Sequence, residues 1–254
     1  MSSLSKLFDV AGKTAIVTGG SQGIGIMIAR GLVENGVKTY ITSRTQEECR
    51  ATAEALSEYG KCVAIACDLS TSEGKKELVQ TFSTREDKLD ILINNTGIVE
   101  GGPLESFAES EWDKVMNINL KSLFFLTQQL LNKLKQAASA DTPARVINIA
   151  SVFGIQAPAA DSLYAYATSK AGVIHLTQHL ATRLAPDHIT VNAISPALFP
   201  NRRTAGSLEA DASPLGRIGT ADDIAGVAIF LSSRAGSWVT GVNIPVDGGF
   251  LLKS

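Results

Sequence analysis

Short β-branched runs alternate with longer helical patterns along the whole 254-residue chain. Parallel strands need long crossover connections, usually helices, so this alternation predicts a parallel sheet with helices on both faces. The strand candidates are residues 14–18, 38–43, 62–68, 89–95, 145–151, 189–195 and 242–246. We find no linker, internal repeat or low-complexity segment between them. The pattern therefore predicts a single α/β domain over residues 1–254, with seven strands in one doubly wound sheet.

Three threonine or serine residues precede acidic residues at the spacing of a capping box, which marks helix starts. The pairs are Thr45 with Glu48, Ser110 with Asp113, and Thr220 with Asp223.

A long helical pattern from 109 to 136 carries Asn119 among apolar residues. A buried Asn must find hydrogen-bond partners, and a purely structural role for Asn119 is an even alternative.

The charge balance argues against several classes of function. The chain has 23 basic and 25 acidic residues, a net charge of −2, and no block of like charge, so neither a nucleic-acid groove nor a basic membrane face is expected. Residues 1–13 lack the apolar core of a secretory signal, and no apolar run approaches the roughly 18 residues of a spanning helix. Three cysteines without metal-ligand spacing are typical of free thiols. The expectation is a cytoplasmic enzyme.

A glycine-rich turn joins the first strand to the first helix. Glycines permit close approach to a pyrophosphate, and a helix N-terminus offers free N–H groups and positive partial charge. The turn thus predicts a dinucleotide site, although its Gly-x-x-x-Gly-x-Gly spacing differs from that of many dehydrogenases. The residues of the turn are Thr18, Gly19, Gly20, Ser21, Gln22, Gly23, Ile24 and Gly25.

The tip of the second strand indicates which dinucleotide binds. It carries Ser43, Arg44 and Thr45, with no acid to bind a ribose 2′-hydroxyl. Arg44 can pair with a 2′-phosphate and stack on adenine, so NADP(H) is favoured, the alternative being an ordinary exposed arginine. Asp68 and Leu69, after the third strand, are placed to meet the adenine, although Asp68 can equally be a helix cap.

Two further strands end in polar residues, where ligands collect in open α/β sheets. Asn94 and Asn95 can tie neighbouring strands together through their amides, and Gly97 lets the chain pass close to a ligand. Ser151, at the end of the fifth strand, can donate a hydrogen bond to a substrate carbonyl. The alternative is that Ser151 is only a turn residue.

Tyr166 and Lys170 are four residues apart, one turn along a helix. At about 5 Å and an effective dielectric of about 20, an ammonium stabilises a phenolate by roughly 3 kcal/mol, or about 2 pKa units. We therefore expect the pKa of Tyr166 to be lowered towards the range useful for acid/base catalysis. A tyrosine and a lysine at this spacing are also common on solvated helix faces.

Taken together, these motifs resemble those of the short-chain dehydrogenase/reductase family, which implies a Rossmann fold. They are TGGSQGIG at 18–25, NNTG at 94–97, Asn119, Ser151, YATSK at 166–170 and DGG at 247–249. The resemblance covers essentially the whole chain. Within the family the chain is most similar to bacterial 3-oxoacyl-acyl-carrier-protein reductases, including the rhamnolipid-associated β-ketoacyl reductase type.

The resemblance implies roles for matching residues. Tyr166 would protonate the carbonyl oxygen, Lys170 would bind the nicotinamide ribose and lower the tyrosine pKa, Ser151 would polarise the carbonyl, and Asn119 would hold a relay water. Ile194, Ser195 and Pro196 would line the nicotinamide pocket. The complete set of predicted NADP(H)-binding residues is Thr18, Gly19, Ser21, Gln22, Gly23, Ile24, Gly25, Ser43, Arg44, Thr45, Asp68, Leu69, Asn95, Gly97, Tyr166, Lys170 and Pro196.

Some residues depart from the family pattern. Thr96 replaces the usual alanine and Ala197 the usual glycine, which could stiffen the loop. Pro186, Asp187 and His188 stand where acyl-carrier reductases often have a basic residue, which weakens the case for a carrier-protein partner. The substrate lid expected around 197–214 looks short, which implies an open pocket. Two arginines within it, Arg202 and Arg203, could attract an acidic substrate but are more simply solvated.

The prediction is an NADPH-dependent ketoreductase, with a 3-oxoacyl thioester of a carrier protein or coenzyme A as the favoured substrate. A free ketone such as a sugar, diketone or secondary metabolite is the alternative. An inactive nucleotide-sensing regulator is disfavoured because all four catalytic positions are intact. A homotetramer packed through the two long helices and the C-terminal strand is expected. His175 and His179 are four apart on a helix but lack a further ligand, so no metal is expected.

Overall fold

A parallel seven-stranded sheet forms the centre of the computed structural model, which describes residues 3–158, 162–200 and 213–253. The strands are β1 (Thr14–Val17), β2 (Lys38–Ser43), β3 (Cys62–Ala66), β4 (Ile91–Asn94), β5 (Ala144–Ile149), β6 (Ile189–Pro196) and β7 (Asn243–Val246). Their order is β3-β2-β1-β4-β5-β6-β7, and every pairing is parallel. The predicted sheet is confirmed, with shorter ends for several strands.

Helices connect these strands and cover both faces of the sheet. They are α1 (Leu4–Leu7), α2 (Gly23–Glu34), α3 (Gln46–Leu56), α4 (Ser72–Ser83), α5 (Glu109–Met116), α6 (Ser122–Ala137), α7 (Tyr164–Leu184) and α8 (Ala221–Ser232). Side chains of α2, α3 and α8 pack on one face, and those of α4, α6 and α7 on the other. The doubly wound Rossmann arrangement is thereby confirmed.

The two cores follow from the period of two along each strand. In β1, Ala15 and Val17 belong to the core under α2, α3 and α8, whereas Ile16 faces the core under α4 and α6. Because both faces are buried, β1, β3 and β4 carry runs of three or more apolar residues instead of an alternating pattern. The three cysteines are free, as predicted, and burial raises the pKa of Cys62 and of Cys67 to about 12.

The sheet order places a topological switch point between β1 and β4. The chain builds outward from β1 through β2 to β3, then returns across the sheet to add β4 on the other side of β1. Connections on the two sides therefore diverge at the carboxyl ends of β1 and β4 and leave a crevice there, where open α/β sheets bind ligands.

Only one of the three predicted capping boxes forms. Thr220 accepts from the backbone of α8 while Asp223 accepts from the Thr220 N–H at 2.8 Å. Thr45 is the N-cap of α3 but makes no side-chain capping bond. The prediction at Ser110 is wrong, because the N-cap of α5 is Ala108, two residues earlier, and Ser110 lies inside the helix. Conversely, Thr71 caps α4 by accepting from the Gly74 N–H at 2.9 Å.

The helix expected from 109 to 136 is confirmed as an unbroken helical run, but it is not α-helical throughout. Between α5 and α6, residues Asn117–Lys121 form a π-helical turn, which widens the backbone by one residue per turn. Such turns are frequent at functional sites, and this one contains Asn119. Elsewhere, none of the helices in the described ranges combines the length and apolarity that crossing a membrane requires.

We expect Thr220→Ala to lower the free energy of unfolding by about 1 kcal/mol, because it removes the side-chain bond that caps α8. Thr45→Ala is the matched control, since Thr45 occupies the same position on α3 without such a bond. Urea unfolding of the two variants in the absence of nucleotide makes the comparison. Equal losses for both variants would contradict the assignment.

Candidate active site

A cleft of about 460 Å³ opens at the switch point, beyond the carboxyl ends of the strands. Of the predicted site residues it is lined by Gly19, Ser21, Gln22, Gly23, Ile24, Ser43, Arg44, Asp68, Leu69, Asn95, Gly97, Ser151, Tyr166, Lys170 and Pro196. The remaining predicted residues, Thr18, Gly25, Thr45 and Asn119, are outside this lining. Ile194 and Ser195, which were predicted to line the nicotinamide pocket, are also outside it, because both are fully buried in β6. The structure thus gathers residues that are up to 177 positions apart, from Gly19 to Pro196, around one space.

The glycine-rich turn forms the phosphate-sized end of the cleft. Gly19 and Gly23 have φ values of +61° and +53°, which residues other than glycine rarely adopt. The N-cap of α2, Gln22, makes no side-chain capping bond, so its first N–H groups are available to an anion. Gly25 has a different function: a Cβ there would lie 2.1 Å from the Gly19 oxygen, so its absence lets helix and turn pack.

Hydrogen bonds fix this turn to the tip of β4. The Thr18 hydroxyl accepts from the N–H groups of Asn95 and Thr96 at 2.8 and 3.0 Å. In return, the Asn95 amide donates to the Thr18 and Gly19 carbonyl oxygens at 2.9 and 3.1 Å. Thr18 and Asn95 therefore hold the two sides of the crevice in register.

The predicted tie between strands is also present on the other side of β4. The Asn94 amide donates to Asn148 on β5 at 2.9 Å and to Thr127 on α6 at 3.1 Å. Asn148 in turn donates to Thr177 on α7 at 2.9 Å. This buried chain connects two strands to the helices that carry the π-helical turn and the Tyr166–Lys170 pair.

The opposite end of the cleft is polar and carries Arg44 and Asp68. Burial tends to raise the pKa of Asp68, but hydrogen bonds from Ser70 and the charges of Arg44 and Lys75 lower it overall. Asp68 accepts from the Ser70 N–H at 2.9 Å and is not the cap of α4, which is Thr71. At neutral pH this end therefore presents one cation and one carboxylate.

Lys75 supports this end of the cleft and was not found from the sequence. It is buried in α4, and its Nζ donates to the carbonyl oxygens of Leu69 and Thr71 at 3.1 and 2.7 Å. These bonds hold the loop that lines the cleft. In the sequence, Lys75 stands beside Lys76 in an amphipathic pattern, so nothing local distinguishes it from a solvated lysine.

Ser151, Tyr166 and Lys170 meet in the middle of the cleft. The Ser151 hydroxyl accepts from the Phe153 N–H at 3.2 Å, and hydrogen bonding by Ser151 tends to lower the pKa of the nearby Tyr166 phenol. The Lys170 Nζ lies 5.8 Å from the centre of the Tyr166 ring and donates to the Ile149 carbonyl oxygen at 2.7 Å. The helix spacing thus places both side chains on one face, as predicted.

The expected lowering of the tyrosine pKa is wrong in sign for this arrangement. Desolvation raises the pKa of Tyr166, and hydrogen bonding by Ser151 offsets this only in part. Burial also lowers the pKa of Lys170 to about 8. Attraction between the Lys170 ammonium and a Tyr166 phenolate would lower the tyrosine pKa, but burial disfavours the charged form of both groups. Tyr166 therefore retains its proton at neutral pH.

Asn119 lies behind the cleft, 1% exposed, in the π-helical turn. Its side-chain oxygen accepts from the Ile98 N–H at 2.8 Å, and its amide donates to the Ile98 oxygen and the Ser169 hydroxyl, both at 3.0 Å. This geometry supports the structural alternative for the side chain. The relay role for Asn119 stays a prediction.

Apolar residues at one side of the cleft were also missed. They include Val99, Phe153, Leu163, Leu198 and Phe250. They come from five separate segments, so no local pattern could have grouped them.

Most of the predicted lid at 197–214, including Arg202 and Arg203, lies outside the described residues. Among the described residues no group of three metal-ligating side chains occurs; the rings of His175 and His179 stack edge-on with centroids 4.9 Å apart.

Comparison with known proteins gives similarity over nearly the full length. The family described as enoyl-(acyl carrier protein) reductase matches residues 19–251. A rhamnolipids biosynthesis 3-oxoacyl-acyl-carrier-protein reductase of Pseudomonas aeruginosa is 47% identical over 253 residues, 96% of this chain and 98% of that protein. A 3-oxoacyl-acyl-carrier-protein reductase FabG of Chlamydia pneumoniae is 36% identical over 247 residues, covering 94% and 97%. The solved Pseudomonas aeruginosa RhlG/NADP active-site complex has a TM-score of 0.93 at 47% identity, covering 96% and 98%.

The lowered pKa of Lys170 predicts a pH dependence of stability. Between about pH 8 and the ordinary lysine value near 10.4, the unfolded chain binds more protons than the folded one, so the Lys170 contribution to stability rises with pH. We expect the wild type to gain about 1 to 3 kcal/mol relative to Lys170→Met across this window. Urea unfolding of both proteins at a series of pH values measures the difference, and parallel curves would contradict it.

Proposed function

The chain belongs to the short-chain dehydrogenase/reductase family, and we propose that it is an NADPH-dependent ketoreductase whose favoured substrate is a 3-oxoacyl thioester. The observation that carries the proposal is the meeting of Ser151, Tyr166 and Lys170 between a glycine-rich anion site and an apolar wall. Two neighbouring hydroxyl groups can both reach one carbonyl oxygen. Such a pair polarises and protonates a ketone.

The residues of the cleft fit NADP(H). The glycine-rich turn and the uncapped start of α2 suit the pyrophosphate, and Arg44 with Ser43 and Thr45 suits the 2′-phosphate. Asp68 and Leu69 would contact the adenine, and Asn95, Gly97 and Pro196 would flank the nicotinamide half. When bound, NADPH supplies the hydride. The similarity to the RhlG/NADP complex supports the same cofactor here.

Proton handling follows from the hydrogen bonds. The Ser151 oxygen accepts from the Phe153 N–H, so its own O–H remains able to donate to the substrate oxygen. Tyr166 holds its proton at neutral pH because desolvation raises its pKa, and it would transfer that proton to the developing alkoxide. Lys170, fixed by the Ile149 carbonyl, keeps two further N–H groups for a ribose and for stabilising the phenolate left behind.

Two observations favour a thioester over a free ketone as the substrate. Several relatives are 3-oxoacyl reductases, and the cleft is lined in part by apolar residues. A carrier protein or coenzyme A could present it, and Pro186, Asp187 and His188 give no support for the carrier. We further propose one catalytic domain with a substrate lid around 197–214.

We also propose a homotetramer built on α5, α6, α7 and β7. In support, β7 is the edge strand of the sheet, and an unpaired edge invites pairing with another copy. Trp238, just before it, is 99% exposed, and Leu252, just after it, is 86% exposed. Large exposed apolar side chains beside an open edge are typical of subunit interfaces.

We expect Tyr166→Phe to reduce kcat for 3-oxoacyl thioesters by roughly 10²- to 10⁴-fold, because it removes the proton donor. NADPH binding, followed by nucleotide fluorescence, should persist. Tyr164→Phe is the matched control: its ring packs edge-on against Phe107 at 6.1 Å and is absent from the described lining of the cleft. Full turnover in Tyr166→Phe, followed by NADPH absorbance, would refute the proposed chemistry.

Arg44→Ala should lower the preference for NADPH over NADH, measured as the ratio of the two kcat/KM values. We expect this ratio to fall roughly tenfold to a hundredfold, because a charge-assisted hydrogen bond to the 2′-phosphate contributes a free energy of that size. Arg50→Ala serves as the control, since Arg50 lies one helix turn or more away on α3 and pairs with Glu54 at 3.5 Å. An unchanged ratio in Arg44→Ala would defeat the 2′-phosphate assignment.

A further inference from the structure

Two phenylalanines from distant parts of the chain meet at the apolar side of the cleft. Phe153 follows β5, and Phe250 lies in a short 3₁₀ turn (Phe250–Leu252) after β7. Their ring centroids are 6.1 Å apart at an interplanar angle of 74°, an edge-to-face contact. Both rings are partly buried and both line the cleft.

The position of Phe153 is tied to the catalytic serine. Its N–H donates to the Ser151 hydroxyl at 3.2 Å, and the next N–H, that of Gly154, donates to the Ser151 carbonyl at 2.9 Å. A Cβ on Gly154 would lie only 2.6 Å from the Lys170 carbonyl carbon, so this turn packs directly on α7. The backbone of Phe153 is therefore fixed beside Ser151, and its ring lines the cleft.

Phe250 is held just as firmly by the turn before it. Gly248 and Gly249 have φ values of +59° and +87°, which turn the chain back towards the cleft. The Asp247 carboxylate accepts from the N–H groups of Gly249 and Leu251 at 2.9 and 3.0 Å. A fixed ring loses little entropy when a ligand packs on it, so it contributes effectively to affinity.

The surroundings of the pair decide which ligand chemistry fits. Three charged side chains occur in the described lining of the cleft. Arg44 and Asp68 lie at the adenine end, and Lys170 lies beside Tyr166. The apolar part of the described lining also includes Val99, Val152, Leu163 and Leu198. Such a surface offers nothing to the hydroxyl groups of a sugar and favours a hydrocarbon chain.

We infer that Phe153 and Phe250 form a wall on which the acyl chain of the substrate packs, and that this wall makes the enzyme prefer longer chains. The inference rests on the proposed function and adds the specificity-determining residues. Each methylene buried against such a wall contributes roughly fourfold to affinity, so selectivity grows with chain length. The wall acts on binding and leaves the proton chemistry to Ser151 and Tyr166.

The test compares Phe250→Ala with wild type on N-acetylcysteamine thioesters of 3-oxobutanoate and 3-oxodecanoate. We expect the ratio of kcat/KM for the longer substrate to that for the shorter one to fall about tenfold, and Phe250→Leu to restore part of it. Phe8→Ala is the matched control: the Phe8 ring also packs on another phenylalanine, Phe230, at 6.5 Å, but it is outside the described lining, so this variant should leave the ratio within twofold.

Binding of the same 3-oxoacyl thioesters to the NADP-saturated protein, which holds no hydride to transfer, is measured by calorimetry and separates this inference from the proposed function. If wild type reduces no thioester but binds longer chains more tightly and Phe250→Ala abolishes that trend, the wall stands and the proposed function fails. If wild type reduces thioesters while Phe250→Ala keeps the wild-type ratio, the wall is refuted alone. If Phe250→Ala instead raises the ratio of kcat/KM for the longer substrate to that for the shorter one, the wall is also refuted, because the ring would then block longer chains.

Discussion

The parallel pairing of β1 with β4 is the constraint on which the rest of this protein depends. The connection after β1 crosses one face of the sheet, and the connection after β4 crosses the other face. Neither connection therefore covers the carboxyl ends of the two strands. The Thr18 hydroxyl and the Asn95 amide then fasten the two tips across the gap. Because these bonds satisfy backbone groups that would otherwise face the crevice unpaired, the open site is rigid rather than loose.

Burial, more than attraction between charges, sets the protonation of Tyr166 and Lys170. Lys170 lies beneath Tyr166 with a backbone carbonyl as its bonded partner, and desolvation lowers its pKa to about 8. The same desolvation keeps the phenol neutral. A phenol that keeps its proton until an alkoxide develops suits the proposed reduction of a carbonyl better than a preformed phenolate does.

Buried polar side chains hold the catalytic elements in place on the apolar sheet. The chain from Asn94 through Asn148 to Thr177 links β4 and β5 to α7, and Asn119 links the π-helical turn to Ile98 and Ser169. The amides of Asn148 and Asn119 both donate and accept inside the protein, which is what makes their burial tolerable, whereas the Asn94 oxygen is buried without a partner among the described residues. These bonds specify one register of helices on the sheet, whereas apolar packing alone would tolerate several.

The sequence by itself determined the seven parallel strands, the glycine-rich turn and the one-turn spacing of Tyr166 and Lys170, because periodicity and spacing are local properties. It could not determine the sign of the tyrosine pKa shift, since desolvation depends on everything packed around the phenol. Nor could it reveal the π-helical turn, the buried role of Lys75 or the contact between Phe153 and Phe250. Those features arise only when segments far apart in the chain are brought together, so the tertiary structure alone decided them.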